Sequence, residues 1–151
     1  LQGYGMAVTF EKSGVHLEFL EPGKVRDVWP CIRNLIVKLE KKACHGEFSA
    51  DDVFTAAIQG EIGIGVARDK NGIFMVMVFE DVYYPKAHAV NVLGMAGERL
   101  DEFMTLFLGP FKDALRERGV AWIECSVSPG MERMHQRYGF RPVYRKLRLE
   151  V

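Results

Sequence analysis

A chain of 151 residues with 48% hydrophobic and 26% charged side chains has the size and composition of one soluble globular domain. Its 20 basic and 20 acidic residues cancel, which leaves no electrostatic footprint for nucleic acid or an anionic membrane surface. No apolar run approaches the ~20 residues of a membrane span and no signal peptide is visible. The three widely spaced cysteines, Cys31, Cys44 and Cys125, fit reduced thiols in a cytoplasmic setting. Cys44-His45 has no second pair at ligand spacing, so no metal site is expected. Residues 1–5 precede Met6 and read as a cloning remnant, so a single domain is expected over 6–151.

Residues 8–10 and 15–20 alternate around Lys12-Ser13-Gly14, which predicts an opening strand or hairpin. Pro22-Gly23 then breaks the chain. Val25, Val28, Trp29, Ile32, Leu35, Ile36 and Leu39 trace a helical stripe, with Pro30 tolerable only in its first turn. Ser49 and Asp52 form a capping-box pattern ahead of Val53, Phe54, Ala57 and Ile58, and Gly60 closes that second helix.

Residues 61–68 alternate as a strand, and Asp69-Lys70-Asn71-Gly72 is a hairpin turn. Residues 73–79 are apolar on both faces, the signature of a central strand covered on both sides, with a possible run on to Tyr84. Residues 87–93 read as the next strand. Leu100, Phe103, Met104, Phe107, Phe111 and Leu115 form the longest helical stripe, and Gly109-Pro110 predicts a kink or two stacked pieces. Residues 120–127 are a further strand.

Residues 131–144 then combine a short amphipathic helix with a direct exit into a strand. Ser128 is the expected cap, Pro129 suits the first position and Gly139 ends the helix. Met131, Met134, His135 and Tyr138 share one expected buried face, which turns His135 inward. Residues 140–151 alternate Leu147, Leu149 and Val151 with Lys146, Arg148 and Glu150, a half-exposed strand. The order predicts an α/β or α+β domain around a mixed sheet.

This order and the Arg137-Tyr138-Gly139-Phe140 segment resemble the GCN5-related N-acetyltransferase superfamily. The resemblance implies a mixed, strongly twisted sheet in which two neighbouring parallel strands splay apart. It further implies that acetyl-coenzyme A wedges into the splay, with its pyrophosphate on the turn from the fourth strand to the following helix. In the family's C-terminal frame, the tyrosine that often protonates the leaving thiolate falls on His135, and an asparagine near the helix start falls on Ser128. The pyrophosphate pattern falls on Asn91-Val92-Leu93-Gly94-Met95-Ala96, with Gly97 following. A narrower similarity to acetyltransferase-like proteins of tailed phages and prophages rests on Gly94-Met95-Ala96-Gly97, Leu100-Asp101-Glu102-Phe103 and Gly139-Phe140.

Acetyl transfer by direct attack needs a neutral amine, and deprotonating a lysine-like amine at pH 7 costs about 4–5 kcal/mol. A base is therefore required, together with an oxyanion donor and a proton for the thiolate. Residues 91–93 offer backbone amides for the oxyanion. Glu80, Asp81, His88 and Asn91 are the candidate bases, Glu124 carries the same ambiguity, and His135 is the candidate acid. Cys125 has no histidine at a supporting spacing and reads as a small buried residue, and the methionines read as adaptable core. The expected partners are acetyl-coenzyme A and an unidentified amine, with a homodimer the assembly common among similar proteins. The competing class is a non-enzymatic phage or prophage accessory protein that keeps the fold and acts through partner binding.

Overall fold

The computed structural model describes residues 9–151, so Val8 and the 1–5 segment lie outside the described residues. β1 (Thr9–Lys12) and β2 (Val15–Phe19) form the opening hairpin. α1 (Pro22–Ala43) and α2 (Ala50–Ile58) follow, then β3 (Gly63–Asp69), β4 (Gly72–Tyr83) and β5 (His88–Gly97). α3 (Leu100–Glu117), β6 (Val120–Cys125) and α4 (Pro129–Arg137) complete the elements. The sheet runs β1-β2-β3-β4-β5-β6, antiparallel throughout except for the parallel β5–β6 pair.

Side-chain alternation along β4 divides the core in two. Met75, Met77 and Phe79 point to the face covered by α3, where they meet Phe103, Phe107 and Phe111. Val76 and Val78 point to the face covered by α1 and α2, among Ile32, Ile36, Leu39 and Val53. The doubly apolar run at 73–79 is therefore the central strand that its sequence predicts.

Two helices depart from the expected boundaries. α1 opens at Pro22 and passes through Pro30, and α3 passes through Pro110 as one continuous helix rather than two pieces. Each interior proline costs about 3 kcal/mol. Beyond Pro30, however, Ile32, Ile36 and Leu39 are fully buried, and beyond Pro110 so are Phe111 and Leu115. Each such side chain returns about 1.5–3 kcal/mol, so burial of the stripe outweighs the break. The Ser49–Asp52 capping box forms as expected, the Asp52 amide donating to Ser49 Oγ at 3.2 Å and the Ser49 amide to Asp52 Oδ2 at 2.9 Å.

β5 is longer than its expected 87–93 span, because Gly94, Met95, Ala96 and Gly97 continue its pairing with β4. Gly94 and Gly97 have packing reasons to be there. A Cβ on Gly94 would stand 2.7 Å from Leu39 Cγ of α1, so the glycine lets the helix sit directly on the strand. Gly97 has φ +137°, and a Cβ there would collide with the Phe74 carbonyl and stand 2.7 Å from Met75 Cα.

Residues 140–151 form no ladder and are exposed almost throughout, which corrects the half-exposed strand expected there. α4 likewise buries none of its residues: Met131 is exposed, while Met134, His135 and Tyr138 are half-buried. Ser128 precedes α4 but its hydroxyl makes no cap bond; its carbonyl accepts from the amides of Met131 and Glu132, and Pro129 at the first position has no amide proton to satisfy.

Arg99 ties α3 to the sheet. Its guanidinium lies 4.1 Å from the Phe74 ring centroid and donates to Asp69 at the end of β3 and to Glu102 in α3. These bonds hold the Asp69 and Glu102 carboxyls below their usual range and push the guanidinium higher still.

Two outcomes follow from this packing. Gly97→Ala is expected to lose about 2–4 kcal/mol of unfolding free energy in urea titration, from backbone collision at a positive φ. The depressed Asp69 and Glu102 values mean that the unfolded chain takes up protons first on acidification. Their contribution is full above pH about 4 and drains as the pH falls through the folded values. Arg99→Met should therefore flatten the acid limb of stability against pH, read by thermal unfolding from neutral to strongly acidic buffer.

Candidate active site

The parallel β5–β6 ladder is short. It pairs His88, Ala89, Val90, Asn91 and Val92 with Val120, Trp122, Ile123, Glu124 and Cys125, and it stops there. β5 continues to Gly97 with β4 as its neighbour on one side, while β6 leaves the sheet toward α4. At the point of separation β5 carries a bulge: Phe79 pairs with Val92 and Val78 with Gly94, leaving Leu93 unopposed. Over residues 93–97 the β5 edge turned toward β6 has no strand partner among the described residues, so its amides and carbonyls need another.

Register brings three polar side chains to one line beside this opening. Glu80 pairs with Asn91, and Asn91 with Glu124, all on the α1–α2 face of the sheet. Asn91 Nδ2 donates to Glu80 Oε1 at 3.1 Å. Glu124 accepts from the Tyr84 hydroxyl at 2.8 and 3.0 Å and from Trp122 Nε1 at 2.9 Å. The bond to Glu124 raises the Tyr84 hydroxyl above its usual value, with burial and the Glu124 charge acting the same way. Tyr84 and Trp122 stand 5.8 Å apart at their ring centroids and are exposed. They are the residues that the sequence reading missed. Trp122 alternates with Glu124 along β6, which is a visible signal, but Tyr84 reaches the group only through the β4–β5 turn.

The other candidate bases lie on the opposite face. His88 Nε2 and Asp81 Oδ1 are 2.6 Å apart in a part-buried hydrogen-bonded pair, and the Tyr83 ring stacks on His88 at 4.4 Å. Asp81 and His88 are thus committed to each other, at the end of the sheet away from the opening. Cys125 closes the ladder half-buried, its thiol raised first by burial and then by Glu124.

α4 packs on the α3 side. The Tyr138 hydroxyl donates to Asp101 at 2.5 Å, and Tyr138 and Phe140 join the core beneath α3. His135 is half-buried, edge-on to Phe140 at 5.4 Å between centroids. Its Nδ1 lies 2.8 Å from the Met131 carbonyl. A carbonyl only accepts, so Nδ1 carries the proton and Nε2 is the position left for chemistry. His135 therefore sits on α4 at the α3 side of the sheet, whereas the Glu80 side chain leaves β4 on the α1–α2 face.

Gly94, Met95, Ala96 and Gly97 lie in β5 rather than in a loop, and only Glu98 and Arg99 connect that strand to α3. The Glu98 amide is used by the Phe74 carbonyl at 2.9 Å. The amides of Leu100, Asp101 and Glu102 open α3 and have no intrahelical acceptor, which makes an electropositive end. Asp101 and Glu102 offset it, and Arg99 is already paired. Among the described residues no three His, Cys, Asp or Glu side chains converge as a metal centre requires, and no helix is long and apolar enough to cross a membrane.

No protein-family model matches the chain, and no curated protein matches it in sequence. Solved structures do match in shape. A ribosomal-protein-alanine N-acetyltransferase from Brucella melitensis biovar Abortus 2308 superposes with a TM-score of 0.67 at 11% identity, covering 91% of this chain and 99% of that one. An aminoglycoside N-acetyltransferase in complex with CoA matches at 0.66 and 12%, over 95% and 99%. A predicted acetyltransferase with acetyl-CoA from Clostridium acetobutylicum matches at 0.64 and 15%, over 90% and 96%. With its single parallel pair splaying at Val92–Cys125, its bulge at Leu93 and two layers of helices, the chain has the fold of the GCN5-related N-acetyltransferases.

Proposed function

We propose that this chain is an acetyl-coenzyme A-dependent N-acetyltransferase acting on a primary amine by direct attack. The observation that carries the reading is the separation of β5 from β6 past Val92–Cys125, which leaves a bulge and five residues of unpaired strand edge at one place. Such an edge fits the amide-bearing arm of the coenzyme, because it offers alternating donors and acceptors and, among the described residues, no strand pairs with them. Relatives in shape include proteins solved with CoA and acetyl-CoA, which supports the same ligand.

Residues 91–97 would line the coenzyme, with Ser128 at the start of α4 and the free amides of Leu100, Asp101 and Glu102 next to the pyrophosphate. Bound there, the coenzyme supplies an activated acetyl thioester. The Leu93 peptide, unpaired at the bulge, provides a hydrogen-bond donor at the mouth. Glu80, steadied by the Asn91 amide, takes the proton of the incoming ammonium group. His135 holds its Nδ1 proton against the Met131 carbonyl, so Nε2 is a bare acceptor that must first take a proton from water, forming the imidazolium, before it can pass that proton to the leaving thiolate.

A second reading, a protein of this fold that works by partner binding, is favoured by one observation. The α3 N-terminus that would meet pyrophosphate is flanked by Asp101 and Glu102, and the cations beside it are taken up, Arg99 by Asp69 and Glu102 and Arg137 by Asp101.

Thermal shift or calorimetry with acetyl-coenzyme A separates the two. At one hundred times its dissociation constant the ligand should add about 2.7 kcal/mol of stability, and no shift at millimolar concentration rejects the enzyme reading in favour of the second. Given binding, His135→Phe is expected to lower turnover by about 10²-fold with coenzyme affinity unchanged, and unchanged turnover would return His135 to a packing role.

A further inference from the structure

Two rows of side chains cross the α1–α2 face of the sheet from β4 to β6. The first is polar: Glu80 pairs with Asn91, and Asn91 with Glu124. The second lies two residues along each strand and is apolar: Val82 pairs with Ala89, and Ala89 with Trp122. Tyr84, just past β4, leans on Trp122.

Glu80 and Glu124 are half-buried, and neutral donors hold them. Glu80 accepts from the Asn91 amide, and Glu124 from the Tyr84 hydroxyl and Trp122 Nε1. Among the described residues no lysine, arginine or histidine pairs with either carboxylate. A carboxylate offers about four acceptor positions, so two neutral donors fix Glu124 in place and leave room for a cation. Partial burial raises the cost of an uncompensated charge, which a ligand ammonium group would relieve.

The aromatic pair adds a second requirement. A phenol hydroxyl and an indole N–H lie in the plane of their rings, so Tyr84 and Trp122 meet Glu124 by their edges and not by their faces. Trp122 is 47% exposed and Tyr84 39%, which leaves ring surface for hydrocarbon next to the charge. Tyr144 comes near the same place. The Tyr84 hydroxyl is raised first by its bond to Glu124, then by burial and the Glu124 charge, and last by Tyr144.

Spacing sets the length. Neighbouring strands stand about 4.8 Å apart, so Glu80 and Glu124, on strands either side of β5, are separated by about 10 Å at the backbone. That span suits an extended chain of about five to seven carbons between two ammonium groups, each reaching one carboxylate. The row Val82–Ala89–Trp122 flanks such a chain along its length. An amine with a single charge would satisfy Glu80 and set its apolar end against Glu124.

The geometry points to a linear diamine as the molecule this face takes, with one amino group at Glu80 and the distal ammonium at Glu124 beside Tyr84 and Trp122. That the amine at Glu80 is then acetylated rests on the acetyltransferase reading; the distal site is a binding claim of its own.

Calorimetry on the full chain compares hexamethylenediamine, hexylamine and ε-aminocaproate. The diamine is expected to bind about tenfold tighter than hexylamine, and ε-aminocaproate more weakly than either. Glu124→Gln keeps an oxygen for Tyr84 and Trp122 to donate to, and should bring the diamine close to hexylamine. In the unmodified chain the Trp122 indole N–H resonance, assigned by its loss in Trp122→Phe, should shift with the diamine while that of Trp29 stays in place. Equal affinities for diamine and hexylamine, no measurable binding of the diamine, or a preference that survives Glu124→Gln each overturn the site. Acetyl transfer is scored separately, by coenzyme release from acetyl-coenzyme A. A diamine preference without transfer rejects the acetyltransferase reading and still supports the site. Transfer to diamine and hexylamine with equal kcat/KM supports that reading and overturns the site.

Discussion

The fold hangs on a backbone pairing that stops. Parallel β5 and β6 share five residue pairs and then part at Val92–Cys125, while β5 runs on beside β4. Folded proteins seldom leave strand edges unpaired inside their bodies, so the interruption has to be held open by something else. Here it is held from both sides. Leu39 of α1 presses directly on Gly94, Gly97 nests against the Phe74–Met75 backbone, and the Arg99 clamp fixes where α3 begins. The opening is therefore a consequence of packing that is complete on β5's other contacts.

That view changes the meaning of the glycines. In sequence, Gly94-Met95-Ala96-Gly97 reads equally well as a phosphate-cradling loop. In the structure it is strand, and both glycines are accounted for by close approach of Leu39 and Phe74. The electropositive end of α3 lies two residues later and is itself bordered by acidic side chains. The coenzyme reading thus leans on the strand edge more than on the helix end, and the polar row Glu80–Asn91–Glu124 lies on the α1–α2 face of the sheet, away from α4 and His135.

Much of this was legible beforehand where periodicity and burial coincide. The doubly apolar 73–79 run, the stripes of α1 and α3 and the Ser49–Asp52 box each formed where expected. The failures have physical causes. Pro30 is expected only in a first turn and Pro110 to kink or divide its helix, but the apolar residues beyond them bury enough surface to carry each helix through. The Glu124–Tyr84–Trp122 group depends on sheet register and on a turn, neither of which a linear pattern encodes. Residues 140–151 have the alternation of a strand, yet alternation says only that a strand is suited to pairing and not which edge it finds. The inward face expected for α4 forms only in part: Tyr138 packs on the α3 core and Met134 and His135 are half-buried, while Met131 stays exposed.

The claim that the unpaired β5 edge is a coenzyme site can be read amide by amide. Hydrogen exchange with and without saturating acetyl-coenzyme A should show slowed exchange concentrated in residues 93–97 and at the start of α3, with the β1–β2 hairpin unchanged. Protection that leaves 93–97 untouched, or no protection anywhere, would contradict the account.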